Sequence, residues 1–259
     1  MTAPLLVEEH DDRVVLRLNR PEVRNAIDRA MVDALHAACA ALEAVPRVAL
    51  LIGAGGTFAA GADIAQLRER RRDDALAGIN SGVFERVRKL PMPVIALVDG
   101  YALGGGAELA YACDFRIGTP ATKIGNPEPG FGILAAAGAA WRLKELVGEP
   151  LAKEVLLAGR VLDAQEALAV RLLSEVVDAG DLEPAGHRLA DRITAQAPVA
   201  VRLTKSVLDA PRDAHPLVDD IAQAVLFETQ EKTDRMTAFL ERRPGSRPGS
   251  RPGSRKEQR

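Results

Sequence analysis

The chain has 259 residues, of which 47% are hydrophobic and 27% charged, and its mean hydropathy is −0.03. That balance fits a globular protein able to bury a large core. The formal net charge of −2 hides an asymmetry: residues 242–259 carry seven Lys or Arg against one Glu, which leaves an acidic body. With only 3% aromatic residues, that body lacks the basic, stacking-rich surface of a nucleic-acid reader. No run reaches the ~18 apolar residues of a membrane span, and Met1–Asp12 does not read as an export signal. Cys39 and Cys113 are the only cysteines, too few for a disulfide framework or a thiolate zinc site, so a cytoplasmic protein without a metal is expected.

Taken in chain order, Arg13–Asn19, Val48–Ile52 and Val94–Val98 are short, partly β-branched apolar runs that predict strands, the last two buried on both faces. Between the first two, Ile27, Met31, Leu35, Ala38 and Leu42 recur at spacings of three and four, which predicts a helix over 25–45 with Asp28 in its first turn. A charged helical stretch is expected from about Ile64 to Lys89, weakened or interrupted at Gly78 and Gly82. Beyond Pro129 the pattern turns helical: 141–147, 151–158, 164–173, 182–196, 199–208 and 217–242, with one strand at 174–177. Strands alternating with helices and then a helical third indicate an α/β core carrying a helical C-terminal extension. Leu217, Ile221, Val225, Phe239 and Leu240 fall near one stripe, which must pack on its own body or on another subunit. The RPGS motif repeated three times from Arg243 to Ser254 cannot bury apolar surface and is expected to be disordered. The expected organisation is a core over 1–197, a helical region over 198–243 and a tail over 244–259.

Three segments carry chemistry. In TFAAGADIAQL (Thr57–Leu67) a strand runs through small residues into a helix, where unpaired N–H groups attract negative charge. Asp63 reads there first as a helix N-cap. In DGYALGGGAELAYACD (Asp99–Asp114) Gly104, Gly105 and Gly106 allow close approach of a ligand, and Glu108 follows in the first helical turn among Ala107, Leu109 and Ala110. A carboxylate enclosed by apolar neighbours is a candidate general acid or base. In IGNPEPGFGI (Ile124–Ile133) two prolines flank Glu128 in a predicted loop, a rigid way to present a side chain. Two decoys fall away. Phe58 stands where the third glycine of a dinucleotide fingerprint belongs, and neither glycine cluster is followed by the Lys-Ser/Thr of a P-loop. His10, His36, His187 and His215 are scattered, which argues against a His-based triad or metal cluster.

Together NRPEVRNAI (Asn19–Ile27), FAAGADI (Phe58–Ile64), GYALGGGAELAYACD (Gly100–Asp114) and NPE (Asn126–Glu128) resemble the enoyl-CoA hydratase/isomerase, or crotonase, superfamily. The resemblance covers about 16–243. It implies a spiral of repeated ββα units with C-terminal helices that build trimers, often paired into hexamers. It implies an acyl-CoA thioester as substrate, no separate cofactor, no nucleic acid and no membrane. The residues it assigns are an oxyanion hole from the N–H groups of Ala62 and Gly105, and two glutamates, Glu108 activating water and Glu128 protonating C2. Contacts to the CoA thioester are implied at Arg24, Ala26, Ala60, Asp63, Ile64 and Gly104, with Arg68, Arg70, Arg71 and Arg72 as further basic candidates or a solvated face.

The leading expectation is a hydratase acting on trans-2-enoyl-CoA to give the 3-hydroxyacyl thioester. A Δ3,Δ2-enoyl-CoA isomerase is the alternative on the same fold, and a non-catalytic acyl-CoA-binding trimer the alternative from another class. The chain departs from the family pattern at 133–143, where Ala135 replaces a usual Pro, Ala139 a Gly and Trp141 a Gln. That departure puts substrate length and the placement of Glu128 in question. Arg171 also replaces a customary Gly before Leu172.

Overall fold

The computed structural model describes residues 3–241, in two units that divide between Leu208 and Asp209. In the first unit a six-stranded sheet is built from β1 (Leu5–Glu9), β2 (Arg13–Leu18), β3 (Val48–Gly53), β4 (Val94–Val98), β6 (Phe115–Gly118) and β9 (Glu175–Val176), in that order. Only the β1–β2 pair is antiparallel. A smaller sheet of β5 (Tyr101–Leu103), β7 (Lys123–Gly125) and β8 (Val161–Asp163) continues the spiral. Every residue of β3 and β4 is buried, because both faces of the main sheet are covered. Ala49, Leu51, Ala96 and Val98 face α1 (Arg29–Ala44), α4 (Ile79–Arg88) and α5 (Gly105–Ala112). The alternate residues Leu50, Ile52, Ile95 and Leu97 face α9 (Leu182–Thr194). The helix α9 lies so close that a Cβ on Gly186 would stand 2.8 Å from the Leu97 methyls.

The predicted strands and the α/β class hold, and local chemistry explains where boundaries differ. Helix α1 starts at Arg29, not near residue 25, because Arg24 and Asn25 adopt φ of 53° and 55°. Asn25 has a reason to stay outside the helix: its side chain accepts from Arg20 N and donates to Ala54 O and Thr57 O. Asp28 caps the helix by accepting from Met31 N at 2.8 Å. The charged stretch is interrupted as expected, into α2 (Ile64–Glu69), α3 (Arg72–Leu76) and α4, with Gly78 at φ 61° before α4. Gly82 does not break it and lies inside α4.

The helical third follows as α6 (Ala139–Val147), α7 (Glu149–Ala158), α8 (Ala164–Ala169), α9 and α10 (Pro198–Leu208). Two corrections apply. Strand β8 adds to the single strand expected here, its three residues being too few to show a period. The helix expected over 217–242 is two, α11 (Leu217–Phe227) and α12 (Gln230–Glu241), which form the described part of the second unit. The RPGS repeats lie outside the described residues, within which no helix is long and apolar enough to cross a membrane.

The segment after β3 is bridged to both neighbours: Ala59 pairs with Ala102 and Ala62 with Ile27. At Gly106 the backbones are so close that an added Cβ would stand 2.1 Å from Ala59 O. Backbone cannot yield as a flexible side chain would, so Gly106→Ala is expected to destabilise the protein by about 1–3 kcal/mol or more, read from the urea midpoint.

Candidate active site

The site grows from two strand-to-helix transitions that face each other. In the first, Ile27 N donates to Gly61 O and Asp63 N to Ile27 O. This parallel bridge uses the groups on either side of Ala62 and leaves the Ala62 N–H pointing the other way. Gly61 takes φ 118° and stands against Leu103 O, a geometry and a clearance that favour glycine. In the second, Gly104 (φ 53°) turns the chain from β5 into α5, so Gly105 contributes an N–H from the open first turn. A Cβ built on Gly105 would stand 3.4 Å from Ala62 N. Two amides from distant parts of the chain thus lie side by side, and among the described residues neither donates to another group.

Glu108 lies one turn into α5 and is 4% exposed. Its Oε1 accepts from Ala137 N at 2.7 Å and from Ala139 N at 3.1 Å. Burial pushes its pKa up to about 7, with the charge of Glu128 adding to the rise and the two amides opposing it. Glu128 is not in an irregular loop but opens a 3-10 turn, Glu128–Phe131. It too is buried, and burial raises its pKa. Its carboxylate lies over Gly104, where a Cβ would come within 3.1 Å of Oε1. Asn126 reaches Glu128 Oε1 only at 3.5 Å and accepts from the Tyr111 hydroxyl at 3.1 Å. The other oxygen of Glu128, Oε2, is buried with no hydrogen-bond partner. A carboxyl so placed favours its neutral, proton-bearing form.

The remaining residues singled out by sequence fall into two groups. Residues 24–27 run beside 60–63: Ala60 N donates to Arg24 O, and Ala26 O accepts from Arg20. Arg24, Ala26, Ala60, Asp63 and Ile64 therefore share the edge next to the Ala62 amide, and Gly104 lies under Glu128. Asp63 is the N-cap of α2, accepting from Gln66 N at 3.1 Å, and it lies 3.9 Å from Arg20. The Arg24 side chain is exposed. Arg68 and Arg72 are exposed and paired with Glu69 and Asp73, while Arg70 donates to Asn80. Sequence reasoning missed Asn80, whose side-chain nitrogen lies 3.7 Å from the Cβ position of Gly105. It also missed the Ala137 and Ala139 amides that hold Glu108, because backbone donors leave no mark in residue type. No group of three or more His, Cys, Asp or Glu among the described residues could hold a metal ion.

The raised pKa of Glu108 carries a stability consequence. A carboxyl whose native pKa exceeds its unfolded value costs stability progressively as the pH rises from the unfolded value to the native one, and the cost is complete above both. Glu108→Gln keeps an oxygen for the two amides and removes the charge. It is therefore expected to raise stability at pH 8 by up to about 2–3 kcal/mol relative to the parent, with the gain vanishing near pH 4. Thermal unfolding at the two pH values checks it.

The model of the family described as enoyl-CoA hydratase/isomerase matches residues 9–246. A crotonyl-CoA hydratase of Syntrophomonas wolfei is 36% identical over 248 residues, covering 92% of this chain and 95% of that protein. A short-chain-enoyl-CoA hydratase of Clostridium acetobutylicum is 34% identical with the same coverage. Among solved structures, enoyl-CoA hydratase from Bacillus anthracis superposes with a TM-score of 0.87 at 31% identity, covering 93% of this chain and 97% of its own. With the paired amides and the two buried glutamates in place on a crotonase-type α/β fold, this chain belongs to the enoyl-CoA hydratase/isomerase family.

Proposed function

We propose that the protein is an enoyl-CoA hydratase that adds water to a trans-2-enoyl-CoA to give the 3-hydroxyacyl-CoA. The observation that carries this reading is the pairing of two buried carboxyls, Glu108 and Glu128, with two adjacent unpaired amides, Ala62 and Gly105. As the oxygen of water bonds to C3, the electrons of the double bond move toward the thioester oxygen, where the two N–H groups stabilise the developing charge. A donor of this kind is typically worth about 3 kcal/mol in the transition state. Glu108, ionised, takes a proton from the water, and Glu128, protonated, delivers one to C2. Water is thereby added across C2=C3, and one proton must pass from Glu108 to Glu128 before the next turnover. The chemistry asks nothing of a separate cofactor, since coenzyme A arrives with the substrate.

Burial suits the two groups to these roles. A base with a pKa near 7 holds a water proton better than an exposed carboxylate would, and burial raises the pKa of Glu128 as well, toward the proton-bearing form that a general acid needs. An isomerase moving a proton between C4 and C2 needs only one such group, so the second buried glutamate favours hydration, as do the names of the relatives. The edge formed by Arg24, Ala26, Ala60, Asp63, Ile64 and Gly104 is the proposed contact surface for the CoA thioester. We also infer a trimer, single or paired, with the C-terminal helices at its interfaces. Leu217, Ile221, Val225, Phe227 and Met236 are each more than half exposed, an apolar density that a subunit interface would cover.

Glu108→Gln and Glu128→Gln are each expected to lower kcat by at least about 10²-fold, with the double variant far from additive. Near-normal hydration by either variant overturns the two-carboxyl mechanism, and alkene migration without hydration supports the isomerase. Because Glu108 must be ionised, kcat/KM is expected to fall tenfold per pH unit below about pH 7. Removing residues 216–259 is expected to abolish the trimeric mass in light scattering, whereas removing 244–259 leaves it intact; an active trimer from the shorter chain refutes the interface.

A further inference from the structure

A side-chain donor stands beside the two amides. Asn80 is the second residue of α4, which the chain enters through Gly78 at φ 61°. It is half-buried, and its Nδ2 lies 3.7 Å from the Cβ position of Gly105, the same point from which Ala62 N lies 3.4 Å away. Which end of the Asn80 amide faces the site is decided by Arg70, whose Nη1 donates to Asn80 Oδ1 at 3.0 Å. A guanidinium has no acceptor, so the atom turned toward it must be the oxygen, and the NH2 group is left to face Gly105 and Ala62. Among the described residues that group donates to nothing, and Arg70 enters no ion pair. The neighbouring carboxylates are engaged elsewhere, Glu69 with Arg68 and Asp74 with the Arg71 amide. The cation therefore polarises the Asn80 amide without a counter-charge, which strengthens its N–H groups as donors.

We propose that Asn80 is a third donor to the thioester oxygen, and that Arg70 is a positioning residue that aims it. The proposal rests on the hydratase reading for the reaction it accelerates. Charge moving from C2=C3 onto the oxygen is then met by two backbone N–H groups and one from a side chain. Glu108, ionised, works against negative charge on that oxygen, and a cation acting through Asn80 works in its favour. Unlike the two backbone donors, this one is set by residue type, so it can be removed by substitution without disturbing the close approach of the two chain segments.

Asn80→Asp tests the assignment, because it keeps an oxygen for Arg70 and nearly the same shape while replacing the donor with an acceptor. With trans-2-butenoyl-CoA its kcat is expected to fall at least about tenfold with KM within about threefold, as for a contact that strengthens in the transition state. Asn80→Ala is expected to lose less, since it adds no negative charge. A side chain that merely tethers Arg70 gives the reverse order, with Asp harmless and Ala damaging, and that order overturns the proposal. Arg70→Gln is expected to lower kcat at least about threefold in the parent and no further in the Asn80→Ala background. An equal loss in both backgrounds, or a rise in KM alone, refutes the positioning role. A second readout needs no turnover. Butyryl-CoA, isotopically labelled at its carbonyl carbon, is expected to show an infrared carbonyl stretch moved to lower frequency on binding to the parent, and moved less on binding to Asn80→Asp. If the parent hydrates no enoyl-CoA but that difference appears, the hydratase reading fails and the third donor stands. If the two proteins give the same band, the donor assignment fails whatever the kinetics show.

Discussion

Everything at the site depends on how closely two backbone segments approach. The stretch that leaves β3 and the stretch that enters α5 touch through main chain alone, at Gly106 against Ala59 O and at Gly61 against Leu103 O. Only because no side chain separates them do the Ala62 and Gly105 amides stand together. The bridges Ala59–Ala102 and Ile27–Ala62 lock the approach by hydrogen bonds already required by the sheets. A pair of unpaired amides made this way is fixed in place by the fold itself, the condition under which backbone donors contribute most to any charge they face.

The same compactness sets the cost. Glu108 and Glu128 are carried into a region where an ionised carboxylate is poorly solvated, and both pKa values rise for that reason. A structure selected for stability alone would place neutral side chains at both positions. That two carboxyls persist there, one with an oxygen that no donor satisfies, fits the general pattern in which strain and unpaired groups collect where chemistry is done.

The unusual segment 133–143 becomes intelligible in the same terms. What it offers Glu108 is a pair of N–H groups, from Ala137 and Ala139. A backbone donor is indifferent to whether the residue is glycine or alanine, provided its φ and ψ are accessible. The alanines in this segment can therefore stand where the family pattern has Pro and Gly without loss of the contact. Trp141 is different, because its ring is a side-chain feature, 45% exposed and with the Arg88 guanidinium 5.4 Å from its centre.

How much of this was legible beforehand follows from what each signal depends on. Period and composition are local, so the buried strands β3 and β4, the amphipathic α1 and the breaks around Gly78 could all be read from residue order. The glycine cluster and the placement of Glu108 in a first helical turn were legible for the same reason, as was the cap at Asp63. Short elements such as β8 were not, since three residues carry no period. Nor could residue order place Glu128 over Gly104, direct the Ala137 amide at Glu108, or bring Asn80 beside Gly105. Those contacts join residues far apart in the chain through backbone atoms that every residue possesses. The sequence by itself determined which groups were available and which helices and strands would carry them. The tertiary structure alone decided which of those groups meet, because burial, amide direction and the approach of two chain segments are properties of packing and not of order.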